Sequence, residues 1–136
     1  MKVITYIHFE DECEKAINFY KEVLGGEILM LSRMGDSPQP MPDHIKNRIM
    51  HSRLQIGETT IFMSDGYDEK NKIQKGNNIS LSIDVDDISK IDGLFAKLSE
   101  GGSVVMPVQD TFWGARFGML VDKFGIKWML NCELKK

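Results

Sequence analysis

The chain has 136 residues, 42% of them hydrophobic and 27% charged, which is the length and composition of one globular domain with a core of its own. Its net charge of −3 argues against a nucleic-acid-binding surface, which would need a basic stripe. No apolar run reaches the roughly 18 residues of a membrane span, so we expect a single domain over residues 1–136 that meets neither nucleic acid nor membrane.

The two cysteines, Cys13 and Cys132, form no metal-binding or redox motif. The N-terminus lacks the cationic stretch and apolar run of a secretory signal. We therefore expect a cytoplasmic protein whose thiols stay free in a reducing compartment.

The first half of the chain is predicted to form a strand, a helix and three further strands. The helix begins among acidic residues, which the helix dipole favours there, and stops at Gly25 and Gly26, a typical C-terminal signal. Apolar patterning predicts the strands. The predicted segments are Val3–His8, the helix at about Glu12–Leu24, Glu27–Arg33, and a hairpin of Ile49–Ile56 and Thr59–Ser64 about Gly57.

A loop with three closely spaced prolines, Gly35–Asn47, interrupts this first half. Pro38, Pro40 and Pro42 exclude a helix or a central strand. The length of the loop leaves three interpretations open: a lid over a site, a contact in a dimer, or a plain surface loop.

The second half repeats the same order after a polar linker at residues 67–76. A glycine inside its helix, Gly93, is consistent with close helix packing, and Pro107 predicts an edge strand or a bulge. The predicted segments are Asn78–Val85, the helix at about Asp87–Ser99, Ser103–Gln109, Arg116–Asp122 and Lys127–Cys132.

The two halves match as an internal repeat. The hairpin glycines Gly57 and Gly125 differ by 68 positions, and the helical apolar residues coincide after a shift of 75. The matched residues are Ala16, Phe19, Tyr20 and Val23 with Ile91, Leu94, Phe95 and Leu98. We predict an α+β fold of two pseudo-symmetric βαβββ modules, at about 1–66 and 77–134, which form a curled eight-stranded sheet around a cleft with the helices outside.

Aromatic and apolar residues concentrate in the segment Asp110–Asn131, which is apolar on both strand faces. Such a hairpin is either covered on both sides or lines an apolar cavity with one face. Trp113, Trp128, Met63 and Met129 are candidates for the wall of such a cavity, with core packing as the alternative. Arg116 could hold an anionic or carbonyl group there, or form an ion pair with Asp110 or Asp122.

His51, Arg53 and Gln55 share one face of a predicted strand by the period of two. This face offers a cation and two hydrogen-bonding groups in one row. It either lines the cleft or forms a polar surface toward solvent.

Several motifs together resemble one known family. They are Ala16–Tyr20 with Leu24–Glu27, Ile49–His51, Met63–Asp65, and above all the Asp110–Asn131 segment. The chain resembles the PhnB-like branch of the vicinal-oxygen-chelate superfamily, which includes glyoxalases, bleomycin-resistance proteins and extradiol dioxygenases. The resemblance implies a site in a cleft between paired modules and a homodimer.

The resemblance also locates where metal-dependent relatives hold their ion. Those places fall on Thr5, Ile61, Asn78 and Met129, which are poor ligands for Zn or Fe. Some relatives are labelled demethylubiquinone methyltransferases, but the sequence has no glycine-rich loop between strand and helix for an adenosyl cofactor. We expect no metal and no cofactor.

The resulting prediction is a binding protein for a small apolar or aromatic molecule in a metal-free cleft. The alternative is an enzyme: a metal-dependent lyase or dioxygenase, an acid–base catalyst using His51 or Glu27, or the methyltransferase. The predicted ligand-binding residues are Trp113, Arg116, Trp128, Met63, Met129, His51 and Arg53.

Overall fold

The computed structural model describes residues 1–135, which form two α-helices and eight β-strands in the order βαβββ twice over. This confirms the predicted α+β fold with two modules. The first module contains β1 (Tyr6–Phe9), α1 (Cys13–Leu24), β2 (Glu27–Arg33), β3 (Ile49–Ile56) and β4 (Thr59–Asp65). The second contains β5 (Leu81–Asp84), α2 (Ile88–Ser99), β6 (Ser103–Asp110), β7 (Ala115–Val121) and β8 (Lys127–Glu133). No helix within residues 1–135 is both long and apolar enough to cross a membrane.

Each module builds its own four-stranded sheet. The strand order is β1-β4-β3-β2 in the first sheet and β5-β8-β7-β6 in the second. In both sheets one edge pair is parallel and the other neighbours are antiparallel. Residues Met1–Gln74 form one compact unit, and a second unit begins at Lys75.

Helix α1 buries one face against the first sheet. Cys13, Ala16, Ile17 and Tyr20 lie on this face at helical spacing and are fully buried. The helix ends at Gly25, whose φ of 71° is the left-handed conformation that the glycine signal predicts.

The start of α1 is held by a carboxylate from β4 rather than by its own N-cap residue. Glu12 makes no capping hydrogen bond. Instead, the Cys13 N–H donates to Asp65 Oδ1 at 2.8 Å, and the Ile49 N–H donates to Asp65 Oδ2 at 2.7 Å. Burial raises the pKa of the Asp65 carboxyl, and these two amides oppose that rise. One side chain therefore joins α1, β3 and β4.

A buried carboxylate also organises the turn between β7 and β8. Asp122 Oδ1 accepts hydrogen bonds from the N–H groups of Phe124 at 2.8 Å and Ile126 at 3.0 Å. Its Oδ2 accepts from the indole Nε1–H of Trp128 at 2.7 Å. Trp128 is buried beside Leu130 in the core of the second unit, so the turn and the core share one anchor.

Two strands begin later than predicted. β1 starts at Tyr6 instead of Val3, and β5 starts at Leu81 instead of Asn78. The reason is pairing: each of these edge strands has partners for only four of its residues. Before β1, Thr5 contributes one carbonyl, which accepts from the Phe62 N–H at 3.0 Å.

Of the predictions made for Pro107 and Gly93, the first is correct and the second is wrong. Pro107 lies in the edge strand β6, within the irregularity of its pairing with β7 between Met106 and Gln109, as predicted. Gly93 is exposed, and a Cβ added there would meet nothing within 4 Å. The interpretation of Gly93 as a site of close packing is therefore wrong.

Two of the places carried over from metal-dependent relatives, Ile61 on β4 and Met129 on β8, do not lie on equivalent faces of their sheets. Ile61 is buried on the α1 side of its sheet. Met129 alternates with the buried Trp128 and Leu130 and so lies on the face away from α2. Because side chains alternate along a strand, the residue of β4 that shares the face of Met129 is Phe62.

Candidate functional site

The first sheet presents a cluster of aromatic, imidazole and guanidinium groups on the face away from α1. Strand alternation turns the core residues, among them Met63, toward the helix. We call the opposite side the open face and define it by the residues Tyr6, His8, His51, Arg53 and Phe62, which are all exposed or half-buried.

The rings of the open face pack against one another. The Tyr6 ring stacks on His8 with centroids 4.6 Å apart and planes at 19°. Phe62 meets Tyr6 edge to face at 6.0 Å and His51 at 5.1 Å. The guanidinium carbon of Arg53 lies 4.7 Å from the centre of the Phe62 ring, within cation–π range. The open face is thus an aromatic surface that carries a positive charge.

Hydrogen bonds link three members of the open face into a chain. The Arg53 Nε–H donates to His51 Nε2 at 3.1 Å, and the Tyr6 hydroxyl lies 3.0 Å from His51 Nδ1. Burial lowers the pKa of His51, and the charge of Arg53 lowers it further. The imidazole is therefore held in its neutral form near pH 7.

A recess of about 630 Å³ adjoins the open face within the first unit. Tyr6 and His8 belong to both, and Ser64, whose hydroxyl lies 3.3 Å from His8 Nδ1, continues the wall. The proline-containing loop contributes Gln39 and Met41 to the recess. This volume suits a small organic molecule.

Ion pairs fasten the segments around this recess. His44 Nε2 of the proline-containing loop lies 3.0 Å from Glu69 Oε1, and Arg48 Nη1 lies 3.3 Å from Glu10 Oε2. Glu10 also accepts from the Ile73 N–H at 2.9 Å. These contacts hold the loop and the 67–74 segment against the body of the first unit.

Of the ligand-binding residues predicted in the first unit, the fold brings two together. His51 and Arg53 meet on the open face through their hydrogen bond. Met63 lies on the other side of the same sheet, fully buried against α1. A ligand role for Met63 stays a prediction, and its observed contacts are those of a core residue.

The four predicted residues of the second unit do not gather at one place. Trp128 lies in the core, and Met129 lies half-buried on the opposite side of β8. Trp113 is 53% exposed in the turn that joins β6 to β7. Their roles in ligand binding stay predictions.

Arg116, the fourth, is engaged by two carboxylates. Its Nε and Nη2 donate to Asp92 at 2.8 and 3.0 Å, and its Nη1 donates to Asp110 at 3.0 Å. These hydrogen bonds raise the pKa of Arg116, with Asp92 the larger cause. Of the two roles considered for Arg116, the structure contains the ion pair with Asp110.

Three members of the open face, Tyr6, His8 and Phe62, were not among the predicted site residues. Tyr6 and His8 lie on the exposed side of β1, and Ile7 and Phe9, which alternate with them, are buried on the other side. An aromatic and an imidazole two residues apart on the exposed side of a strand is the signal that could have identified them.

The donor groups present do not fit a Zn or Fe centre. Ile61, a position carried over from metal-dependent relatives, faces the core, and Phe62, the β4 residue on the open face, has no atom that could bind a metal ion. On the open face the only classical ligands are the imidazoles of His8 and His51, and both nitrogens of His51 are hydrogen-bonded. Among residues 1–135, no group of three side chains of His, Cys, Asp or Glu is arranged so that it could hold a metal ion.

The connections into the helices do not fit an adenosyl group either. Such a group is received by a glycine-rich turn between a strand and a helix of a parallel sheet. Here α1 follows the acidic residues 10–12, and the Cys13 N–H is bonded to Asp65. At the start of α2, Asp87 Oδ1 accepts from the Ser89 N–H at 3.0 Å. An amide in the first turn of each helix is thus already occupied by a carboxylate.

Comparison with known proteins gives one family. A family model described as 3-demethylubiquinone-9 3-methyltransferase matches residues 1–131. Protein YjdN of Escherichia coli is 30% identical over 141 residues, which cover 96% of this chain and 95% of YjdN.

Two solved structures are similar over nearly their whole length. Protein PA1353 from Pseudomonas aeruginosa is 38% identical, with a TM-score of 0.90 and coverage of 99% of both chains. A PhnB protein from Bacillus cereus is 27% identical, with a TM-score of 0.79 and coverage of 97% of this chain and 99% of the other.

Proposed function

The chain belongs to the family described as 3-demethylubiquinone-9 3-methyltransferase, the PhnB-like branch of the vicinal-oxygen-chelate superfamily, and on that premise we propose that it binds a small aromatic molecule, without a metal ion, on the open face of its first sheet. The observation that carries the proposal is the packed group of Tyr6, His51, Arg53 and Phe62, whose rings and cation reach the surface of the sheet.

The chemistry of the open face supports an aromatic ligand. Aromatic side chains contribute large contact areas and favour edge-to-face or offset stacking with a further ring. Ligand sites combine such apolar walls with a few polar groups that fix orientation, and His51, Arg53 and Tyr6 supply those groups. The adjoining recess gives room for a ligand that extends past His8.

A matched pair of phenylalanines tests the proposal. We expect ligand-observed NMR screening of small aromatic compounds to give binders that Phe62→Ala abolishes. Phe112→Ala serves as the control, because Phe112 is 97% exposed in the second unit and lies edge to face with Trp113 at 5.1 Å. Binders that survive Phe62→Ala but disappear with Phe112→Ala would move the site to the second unit. A screen without binders would end the proposal.

The description of the family favours one alternative, methyl transfer from an adenosyl donor. Calorimetric titration with S-adenosylmethionine tests it. Because both helix starts are occupied by carboxylates, we expect no saturable heat. Saturable binding would replace the binding-protein proposal with an enzyme.

We also propose that the protein acts as a homodimer, as the family resemblance implies, and that it works in the cytoplasm, where its two cysteine thiols would stay reduced. Light scattering coupled to size-exclusion chromatography should give the mass of two chains, and cell fractionation should recover the protein with the soluble fraction. The mass of a single chain would refute the dimer.

A further inference from the structure

The hydrogen bonds of the open face fix which way its protons point. A guanidinium N–H always donates and never accepts. Because Arg53 Nε lies 3.1 Å from His51 Nε2, that nitrogen must be the acceptor and carries no hydrogen. A neutral imidazole then carries its single hydrogen on Nδ1.

The direction continues to the tyrosine. His51 Nδ1–H points at the Tyr6 hydroxyl oxygen, 3.0 Å away, so the phenol accepts this hydrogen bond. Its own hydrogen is then left over and can be donated to another molecule. Tyr6 is 38% exposed, so a ligand can reach that hydroxyl.

Arg53 has spare donors as well. Only its Nε is engaged, while Nη1 and Nη2 have no hydrogen-bond or ion-pair partner within residues 1–135. The carboxylate that shares this side of the sheet, Glu27, pairs with Gln55 at the far end of β3 and forms no salt bridge with Arg53. The charge of Arg53 is therefore available to a ligand.

Building on the function proposed above, we propose that the open face recognises an anionic oxygen on a small planar molecule, with the Tyr6 hydroxyl and the Arg53 amino groups as the donors. The Arg53 guanidinium lies over the Phe62 ring, which holds it in place by a cation–π contact. The edge of the Phe62 ring is then free to contact the ring of the ligand. His51 acts as a positioning residue, because it turns the Tyr6 hydroxyl into an outward donor. Donors without acceptors of their own favour a carboxylate or phenolate over a neutral group.

The tautomer of His51, that is, which of its ring nitrogens carries the hydrogen, can be tested without any ligand. Long-range proton–nitrogen NMR of uniformly labelled protein above the pKa of His51 should show Nδ1 protonated and Nε2 unprotonated. Arg53→Gln should weaken that preference, whereas Arg33→Gln, which removes an arginine paired with Glu14, should leave it unchanged. A neutral His51 that carries its hydrogen on Nε2 would overturn the inferred direction of the hydrogen bonds from Arg53 to His51 and from His51 to Tyr6.

Ligand selectivity is tested with benzoate and benzamide, which share size and shape but differ in charge. We expect benzoate to bind at least about tenfold more tightly in NMR titrations, since charge-assisted hydrogen bonds are the stronger ones. Tyr6→Phe and Arg53→Gln should each weaken benzoate by about five- to tenfold and leave benzamide within about twofold. Arg33→Gln is the matched control for Arg53→Gln, because Arg33 pairs with Glu14, and thermal melts confirm that each variant folds.

The outcomes separate this inference from the function on which it rests. Equal affinity for both probes, unaffected by Tyr6→Phe and Arg53→Gln but lost with Phe62→Ala, would overturn the anion preference and leave the binding site standing. Failure of benzoate to bind while other aromatic compounds bind in a manner that needs Phe62 would overturn the inference alone, and a screen without any binder would end the proposed function.

Discussion

His51 is the residue whose protonation controls the open face. Its pKa is lowered first by burial and then by the charge of Arg53. Once protonated, His51 could no longer accept the Arg53 Nε–H, so its hydrogen bond to Arg53 would break, while its Nδ1–H would still donate to Tyr6. A group with a depressed folded-state pKa binds fewer protons folded than unfolded between that pKa and about 6.5, so its contribution to stability is present above this window and is lost as the pH falls through it.

Neutralising Arg53 should therefore raise the pKa of His51. We expect Arg53→Gln to move the NMR titration midpoint of His51 up toward its ordinary value and to reduce the loss of unfolding free energy as the pH falls below about 6.5. Arg33→Gln is the control, since Arg33 pairs with Glu14. If the titration midpoint of His51 were unchanged in Arg53→Gln, the charge of Arg53 would not act on His51.

Asp122 is expected to contribute to the stability of the second unit. Both of its oxygens are used, and the residue is 2% exposed. In Asp122→Asn one oxygen becomes an amide nitrogen that cannot accept, so either the turn amides or the Trp128 indole loses its partner. We expect a loss of about 2 kcal/mol in urea unfolding, against nearly none for the exposed Asp86→Asn.

At the scale of elements, the two helices begin in physically different ways. α1 depends on Asp65, which is distant in sequence and buried, while α2 uses its own N-cap residue, Asp87, in solvent. An exposed cap is replaced by water when it is lost, whereas a buried amide finds no substitute.

The two caps should therefore differ in cost. We expect Asp87→Ala to lower the free energy of unfolding by about 1 kcal/mol and Asp65→Ala by about 3 kcal/mol, because the latter leaves the buried amides of Cys13 and Ile49 without acceptors. Urea denaturation measures both. Equal losses would mean that water replaces Asp65.

The glycines of the second unit give a second element-scale contrast. A Cβ on Gly118 of β7 would lie 2.7 Å from Phe95 of α2 and from Val108 of β6, so the sheet approaches its helix there. Gly93 of α2 has no neighbour within 4 Å. We expect Gly118→Ala to cost about 1–3 kcal/mol and Gly93→Ala to stabilise by about 0.5–1 kcal/mol. Thermal or urea unfolding decides, and stabilisation by Gly118→Ala would contradict the close approach.

On the scale of the whole molecule, the sequence predicted the order of elements well. Helix ends followed from Gly25 and Gly101, and strand β3 from its apolar spacing, because local patterning and glycine signals determine these features. The start of β1 was misplaced, since β1 pairs with β4 only over Tyr6–Phe9, which is a property of pairing and not of local sequence.

The candidate site was harder to predict because it depends on which face each side chain occupies. A shift of one residue exchanges the faces of a strand, so pairing Ile61 with Met129 concealed Phe62. His51 and Arg53 were found because their own strand is regular over that stretch. Tyr6 and His8 share the exposed side of β1, but their place beside Phe62 follows only from the pairing of β1 with β4.

The proposed binding of a small aromatic ligand on the open face of the first sheet is tested by chemical-shift mapping with the compound that binds most tightly in an aromatic screen. We expect the largest perturbations at Tyr6, His51, Arg53 and Phe62. Perturbations confined to the Phe112–Trp113 turn would contradict it.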